Sequence, residues 1–94
     1  MSEIENIQKR ILGILQKHEV KRAAVFGSVA TGTATKKSDL DLLVEFRGKK
    51  SLFDLAGLKI ELENTLKRKV DVITYGSLHP LLRDRILKEQ RLIL

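Results

Sequence analysis

Ninety-four residues make one small domain, too short for two independent cores. Hydrophobic residues at 43% and charged residues at 32% exclude a disordered chain, and the longest uninterrupted apolar run, Ala23-Ala24-Val25-Phe26, falls far short of the roughly 20 residues of a membrane span. Eighteen Lys and Arg against twelve Asp and Glu give a net charge of +6, which favours anionic partners, while the absence of Cys excludes disulfides and thiolate metal sites.

The start, Met1-Ser2-Glu3, is acidic and lacks a secretory pattern, so a cytoplasmic protein is expected. Ile4, Ile7, Ile11, Ile14 and Leu15 follow the 3.6 period, which predicts an amphipathic helix over residues 3–17. Val20 to Phe26 reads as a short buried strand. Gly27 to Lys37 is polar and reads as a loop, with one helical turn at most, starting after Ser28. From Asp39 to Phe46 the chain alternates strictly: Leu40, Leu42, Val44 and Phe46 point one way, Asp39, Asp41, Leu43 and Glu45 the other, as in a half-buried strand. After the basic turn Arg47-Gly48-Lys49-Lys50, Ser51 with Asp54 three residues on resembles a capping box. Leu55, Leu58, Leu62 and Leu66 then mark a helix to about Lys67. Val70 to Thr74 is a further strand, and Ser77 is the expected cap of a last helix through Glu89, with Pro80 in its first turn. Leu92-Ile93-Leu94 either extends that helix or adds an edge strand. Alternating strands and helices predict one α/β (α+β) domain over residues 1–94, a small sheet with helices packed against it.

The chemistry concentrates in Gly27-Ser28, then, after ten intervening residues, Asp39-Leu40-Asp41, then Asp71. Asp39 and Asp41 are two apart in a strand, so both carboxylates leave one face roughly 7 Å apart. Two such anions repel, and a divalent cation relieves the conflict; hard oxygen ligands of this kind suit Mg²⁺. Asp71 lies between two β-branched apolar residues, Val70 and Val72. If its strand neighbours the Asp39–Phe46 strand, three carboxylates converge, a set able to hold two metals about 3.5–4 Å apart for phosphoryl or nucleotidyl displacement. Gly27 lets backbone approach a phosphate closely, and Ser28 offers a hydroxyl and an amide.

Val25-Phe26-Gly27-Ser28-Val29-Ala30-Thr31-Gly32 followed by Ser38-Asp39-Leu40-Asp41-Leu42-Leu43-Val44 resembles the nucleotidyltransferase signature of the polymerase β superfamily. The length and the stretch Leu81 to Glu89 resemble its minimal nucleotidyltransferases, the MNT family. The resemblance implies the nucleotidyltransferase fold, built on a small mixed sheet, and an antitoxin that transfers AMP from ATP to a tyrosine of a HEPN-domain toxin encoded nearby. It implies that Gly27 and Ser28 hold the triphosphate, that Asp39 and Asp41 bind two Mg²⁺ ions, and that Asp71 completes the metal site and helps activate the acceptor hydroxyl. Thr31 departs from the pattern, since many relatives carry Arg there.

The remaining candidates have plainer readings. His18 suits a helix C-terminus, His79 has no companion ligands for zinc, Lys67-Arg68-Lys69 reads as a solvated helix end, and Tyr75 as an aromatic at the core's edge. Two alternatives to the enzyme stand: an antitoxin that neutralises its partner by contact alone, and a nucleotide- or RNA-binding module using the basic charge. The acidic trio speaks against the latter, because an electrostatic RNA binder gains nothing from it.

Overall fold

A computed structural model of the chain describes residues 3–32 and 39–94. Helix α1 (Glu3–Lys17) and strand β1 (Val20–Phe26) follow the predicted spans. A short helix α2 (Gly27–Thr31) comes directly off β1, and β2 (Leu40–Phe46) begins after the segment 33–38. Then come α3 (Leu52–Leu66), β3 (Val70–Thr74), a 3₁₀ turn (Tyr75–Ser77), α4 (Pro80–Glu89) and β4 (Arg91–Leu92). The sheet order is β3-β2-β1-β4, with β2 parallel to β3 and the other pairs antiparallel. The small sheet with helices is the one the alternation predicts, and its mixed strand directions are those the nucleotidyltransferase resemblance implies.

β2 divides the interior. Leu40, Leu42 and Val44 join Ile7, Ile11 and Leu15 of α1 and Leu58, Leu62 and Leu66 of α3 in the larger core. Leu43 faces the other way, into a smaller core with Ala24, Phe26, Tyr75 and Leu78, against which Ile86 and Leu87 of α4 pack half-buried. α4 itself has no fully buried residue. No helix among the described residues is long and apolar enough to cross a membrane.

The ends of the elements follow local chemistry. The Ser51 hydroxyl accepts from the Asp54 amide and the Asp54 carboxylate accepts from the Ser51 amide, closing the capping box; these bonds hold the Asp54 carboxyl below its usual range. Three expectations need correction. The stretch from Gly27 is helical at once, because Val29 and Ala30 are buried by the larger core. Ser77 does not cap α4: its Oγ lies 2.7 Å from Thr74 Oγ1, and His79 Nδ1 accepts from the Leu81 amide at 3.1 Å instead, with Pro80 at the first helical position. Arg68 is not a solvated side chain; it is largely buried and pairs with Glu3 at 2.8 Å. The C-terminal alternative resolves as an edge strand, with Ile93 and Leu94 also bonded to the Ala23 backbone.

Gly13 lies in the middle of α1, exposed, and a methyl group there would meet nothing within 4 Å. Gly13→Ala is therefore expected to stabilise the fold by about 0.5–1 kcal/mol, raising Tm by a few degrees at roughly 4–8 °C per kcal/mol, checked by thermal unfolding.

Candidate active site

The two strands that carry the acids are neighbours in register. Asp41 of β2 pairs with Asp71 of β3, and the pairs on either side, Leu40 with Val70 and Leu42 with Val72, are apolar. Parallel pairing sends Asp41 and Asp71 to the same side of the sheet, the side of the smaller core. Both are half-buried. Asp39 stands one residue before β2 and is exposed. The structure thus brings Asp41 and Asp71 side by side, with Asp39 at the rim.

Burial pushes the Asp41 carboxyl above the ordinary carboxylate range, and the charges of Asp71 and Asp39 push it the same way. Gly27 sits over the same carboxylate. Its φ is +69°, and a Cβ added there would stand 2.3 Å from Asp41 Oδ2. Glycine is needed here twice over, for the left-handed backbone and for the space. Ser28 follows in the first turn of α2, half-buried. The Thr31 hydroxyl turns back on its own helix, donating to the Gly27 carbonyl at 3.2 Å. Lys36 and Lys37 lie outside the described residues.

The donor set fits a hard divalent cation, since like-charged carboxylates meet there and each carries only oxygen donors. Among the described residues no three His, Cys, Asp or Glu side chains stand close enough to enclose an ion. The register pair suffices for magnesium, which takes one or two carboxylates and completes its shell with phosphate and water.

Neither histidine joins this site. His18 Nε2 lies 3.0 Å from Glu61 Oε1, a contact that, with Lys17, holds the Glu61 carboxyl below its usual range. Tyr75 is buried, its hydroxyl donates to Gln90 Oε1 at 2.7 Å, and Arg22 lies over its ring.

A family of proteins described as the nucleotidyltransferase domain matches residues 8–93. A relative from Methanocaldococcus jannaschii, named as a protein adenylyltransferase, is 56% identical over 86 residues, covering 92% of each chain. A solved structure described as a minimal nucleotidyltransferase superposes with a TM-score of 0.81 at 39% identity, covering 97% of this chain and 95% of its own. A solved complex described as a tri-AMPylated HEPN toxin of Shewanella oneidensis with its MNT antitoxin has a TM-score of 0.75 at 16% identity, covering 97% of this chain and 71% of its own; at that identity the likeness speaks for the fold alone.

Two outcomes test the site's electrostatics. A carboxyl whose folded pKa is raised holds its proton more tightly in the folded chain. Its contribution to stability therefore falls as pH rises from the ordinary Asp value of 3.8 through the raised value, and it stays unfavourable above that. Asp41→Asn is expected to raise Tm at neutral pH and to flatten that fall; a loss of Tm would mark Asp41 as a structural acceptor. Gly27→Ala is expected to displace the Asp41 carboxylate and to add about 1–2 kcal/mol of backbone strain. Calorimetry should then show magnesium-dependent ATP binding weakened at least tenfold in a chain that still folds.

Proposed function

Since the chain belongs to the nucleotidyltransferase domain family, we propose that it is a protein adenylyltransferase, transferring AMP from ATP to a tyrosine hydroxyl of a HEPN-domain toxin encoded beside it, and so acting as that toxin's antitoxin. The observation that carries this reading is the register pair of Asp41 and Asp71 beneath Gly27, which puts anionic oxygen ligands and a close-approach backbone at one edge of the sheet.

In this reading Gly27 and Ser28 hold the triphosphate, Gly27 by close backbone approach and Ser28 through its hydroxyl and amide. Asp41 and Asp71, with Asp39 at the rim, would hold magnesium, two ions when nucleotide oxygens complete the shell. When bound, the metal neutralises the triphosphate and stabilises charge on the leaving pyrophosphate. Asp71, on the outer strand, faces the incoming acceptor and orients its hydroxyl. The acceptor oxygen forms a bond to the α-phosphorus, the bond from that phosphorus to the bridging oxygen of the β-phosphate breaks, and the hydroxyl proton leaves with pyrophosphate or to solvent. The net charge of +6 supports an acidic partner face, with charge-steered encounter slowed by salt.

A second reading, neutralisation by contact without transfer, is favoured by one observation: Thr31, where the family pattern implies an Arg, offers no cation and turns its hydroxyl back on its own helix.

Incubating the chain with the neighbouring-gene HEPN protein, ATP and Mg²⁺ and weighing the partner intact tests both. One AMP residue should be added per modification, and Asp39→Ala with Asp41→Ala should abolish the shift. A partner whose mass never changes, yet is still bound and neutralised by the double variant, would leave the contact-only reading standing.

A further inference from the structure

β3 is an edge strand, and the hydrogen bonds around it show which of its backbone groups face outward. The Leu40 amide donates to the Lys69 carbonyl, so Lys69, and by alternation Asp71 and Ile73, turn their backbone groups toward β2. Val70, Val72 and Thr74 turn theirs away. The Val70 amide confirms the direction, since it donates outward to Glu63 Oε2 of α3 at 3.0 Å. The Val72 amide and carbonyl and the Thr74 amide have no strand partner among the described residues, while the Thr74 carbonyl opens the 3₁₀ turn that follows.

Exposed edges are usually blunted by proline, a bulge or a lysine. Between Val70 and Thr74 there is none of these; the one charged residue is Asp71. The edge leads from Asp71 toward a cavity of about 420 Å³ at the far end of the strand, lined by Phe46, Lys50, Leu52, Leu55, Thr74 and Tyr75. At its mouth Leu52 is 83% exposed, and Phe53 beside it is 89% exposed. Asp71 and Thr74 are about 10 Å apart along the strand.

We infer that this edge is the docking track for the protein acceptor. An extended acceptor segment adds a strand to β3 through Val72 and Thr74, which brings a hydroxyl residue opposite Asp71 and seats a large apolar residue, about three to four positions along, in the cavity beside Leu52. The inference rests on the transferase reading above. Main-chain pairing supplies affinity without regard to sequence, and the spacing between hydroxyl and apolar residue supplies selectivity.

Charge decides the occupant. Exposed Lys67 and Lys69 stand at the start of the edge, and Arg47 and Lys49 stand in the turn beside the cavity at its end. A second copy pairing antiparallel through β3 would set the Lys67–Lys69 end of one chain against the Arg47–Lys50 turn of the other, basic against basic at both ends. An acceptor segment whose acidic residues flank the paired stretch, at the Lys67–Lys69 end and at the Arg47–Lys49 end, meets opposite charge at both while its hydroxyl stays clear of the acids at Asp71.

Amide hydrogen exchange on the intact chain with the neighbouring-gene HEPN protein tests the inference without mutation. The Val72 and Thr74 amides should slow at least tenfold on complex formation and remain unchanged with ATP and Mg²⁺ alone. Unchanged exchange in a complex that transfers AMP overturns the docking track and spares the transferase reading. Protection without any AMP transfer does the reverse. Protection in the chain by itself that disappears on dilution assigns the edge to a second copy and overturns the proposal. Two variants add kinetics. Val72→Pro removes the outward amide at an edge position where proline is tolerated, and Leu52→Asp with Phe53→Asp recharges the mouth of the cavity. Each should raise KM for the protein acceptor at least tenfold and leave KM for ATP unaltered, whereas Ile60→Asp, on an exposed position of α3, should change neither. A wild-type acceptor KM in the Leu52→Asp, Phe53→Asp variant would remove the cavity from the track.

Discussion

The register of β2 is the constraint on which the rest depends. Because side chains alternate, one strand serves the larger core with Leu40, Leu42 and Val44, the smaller core with Leu43, and the site with Asp41. A slip of one residue would drive Asp41 and Glu45 into the packing of α1 and α3. That register also forces Asp41 against Asp71. Their like charges repel across neighbouring strands, and the Asp71 charge is one of the causes that push the Asp41 carboxyl upward. Fully burying Leu40, Leu42, Val44 and Val70 stabilises by about 1.5–3 kcal/mol each, so the apolar pairs prevail and the repulsion persists at the edge of the sheet.

What could be read from the sequence was whatever has a short period or a local partner. Ile7, Ile11 and Leu15 announce α1, the alternation from Leu40 to Phe46 announces β2, and Ser51 with Asp54 announces the start of α3, because each signal lies within a few residues of the structure it specifies. One misreading is a competition between near neighbours that residue type does not decide, and another is set by distant packing. Ser77 is a good cap by type, but its hydroxyl is occupied by Thr74, and the cap passed to His79. Gly27 to Thr31 looks like a loop until Val29 and Ala30 are placed against the core. At the site, alternation sufficed to put Asp39 and Asp41 on one face, whereas the pairing of Asp41 with Asp71 depends on which strands are neighbours. The steric role of Gly27 against Asp41, and the position of β3 at the edge, are likewise consequences of topology. Val72-Ile73-Thr74 carries no sequence mark that separates an edge strand from an inner one.

The two faces of the sheet are unequally covered, and the site lies on the thinner side. α1 and α3 bury the larger core, while α4 covers the smaller one with residues that are at most half-buried. For a carboxylate this difference is decisive. Complete burial can raise an acid's pKa by 3–5 units and leave it neutral near pH 7, without the charge a cation needs. Full exposure would let water screen the repulsion and weaken the pull on a divalent ion. Asp41 sits between these limits, half-buried, pushed upward by burial first and by Asp71 and Asp39 second. Partial exposure limits that upward push, and the apolar pairs beside it keep Asp41 next to Asp71. Since β2 sets both, the sheet can hold a strained pair of charges at one edge while the opposite face supplies the stability that keeps it there.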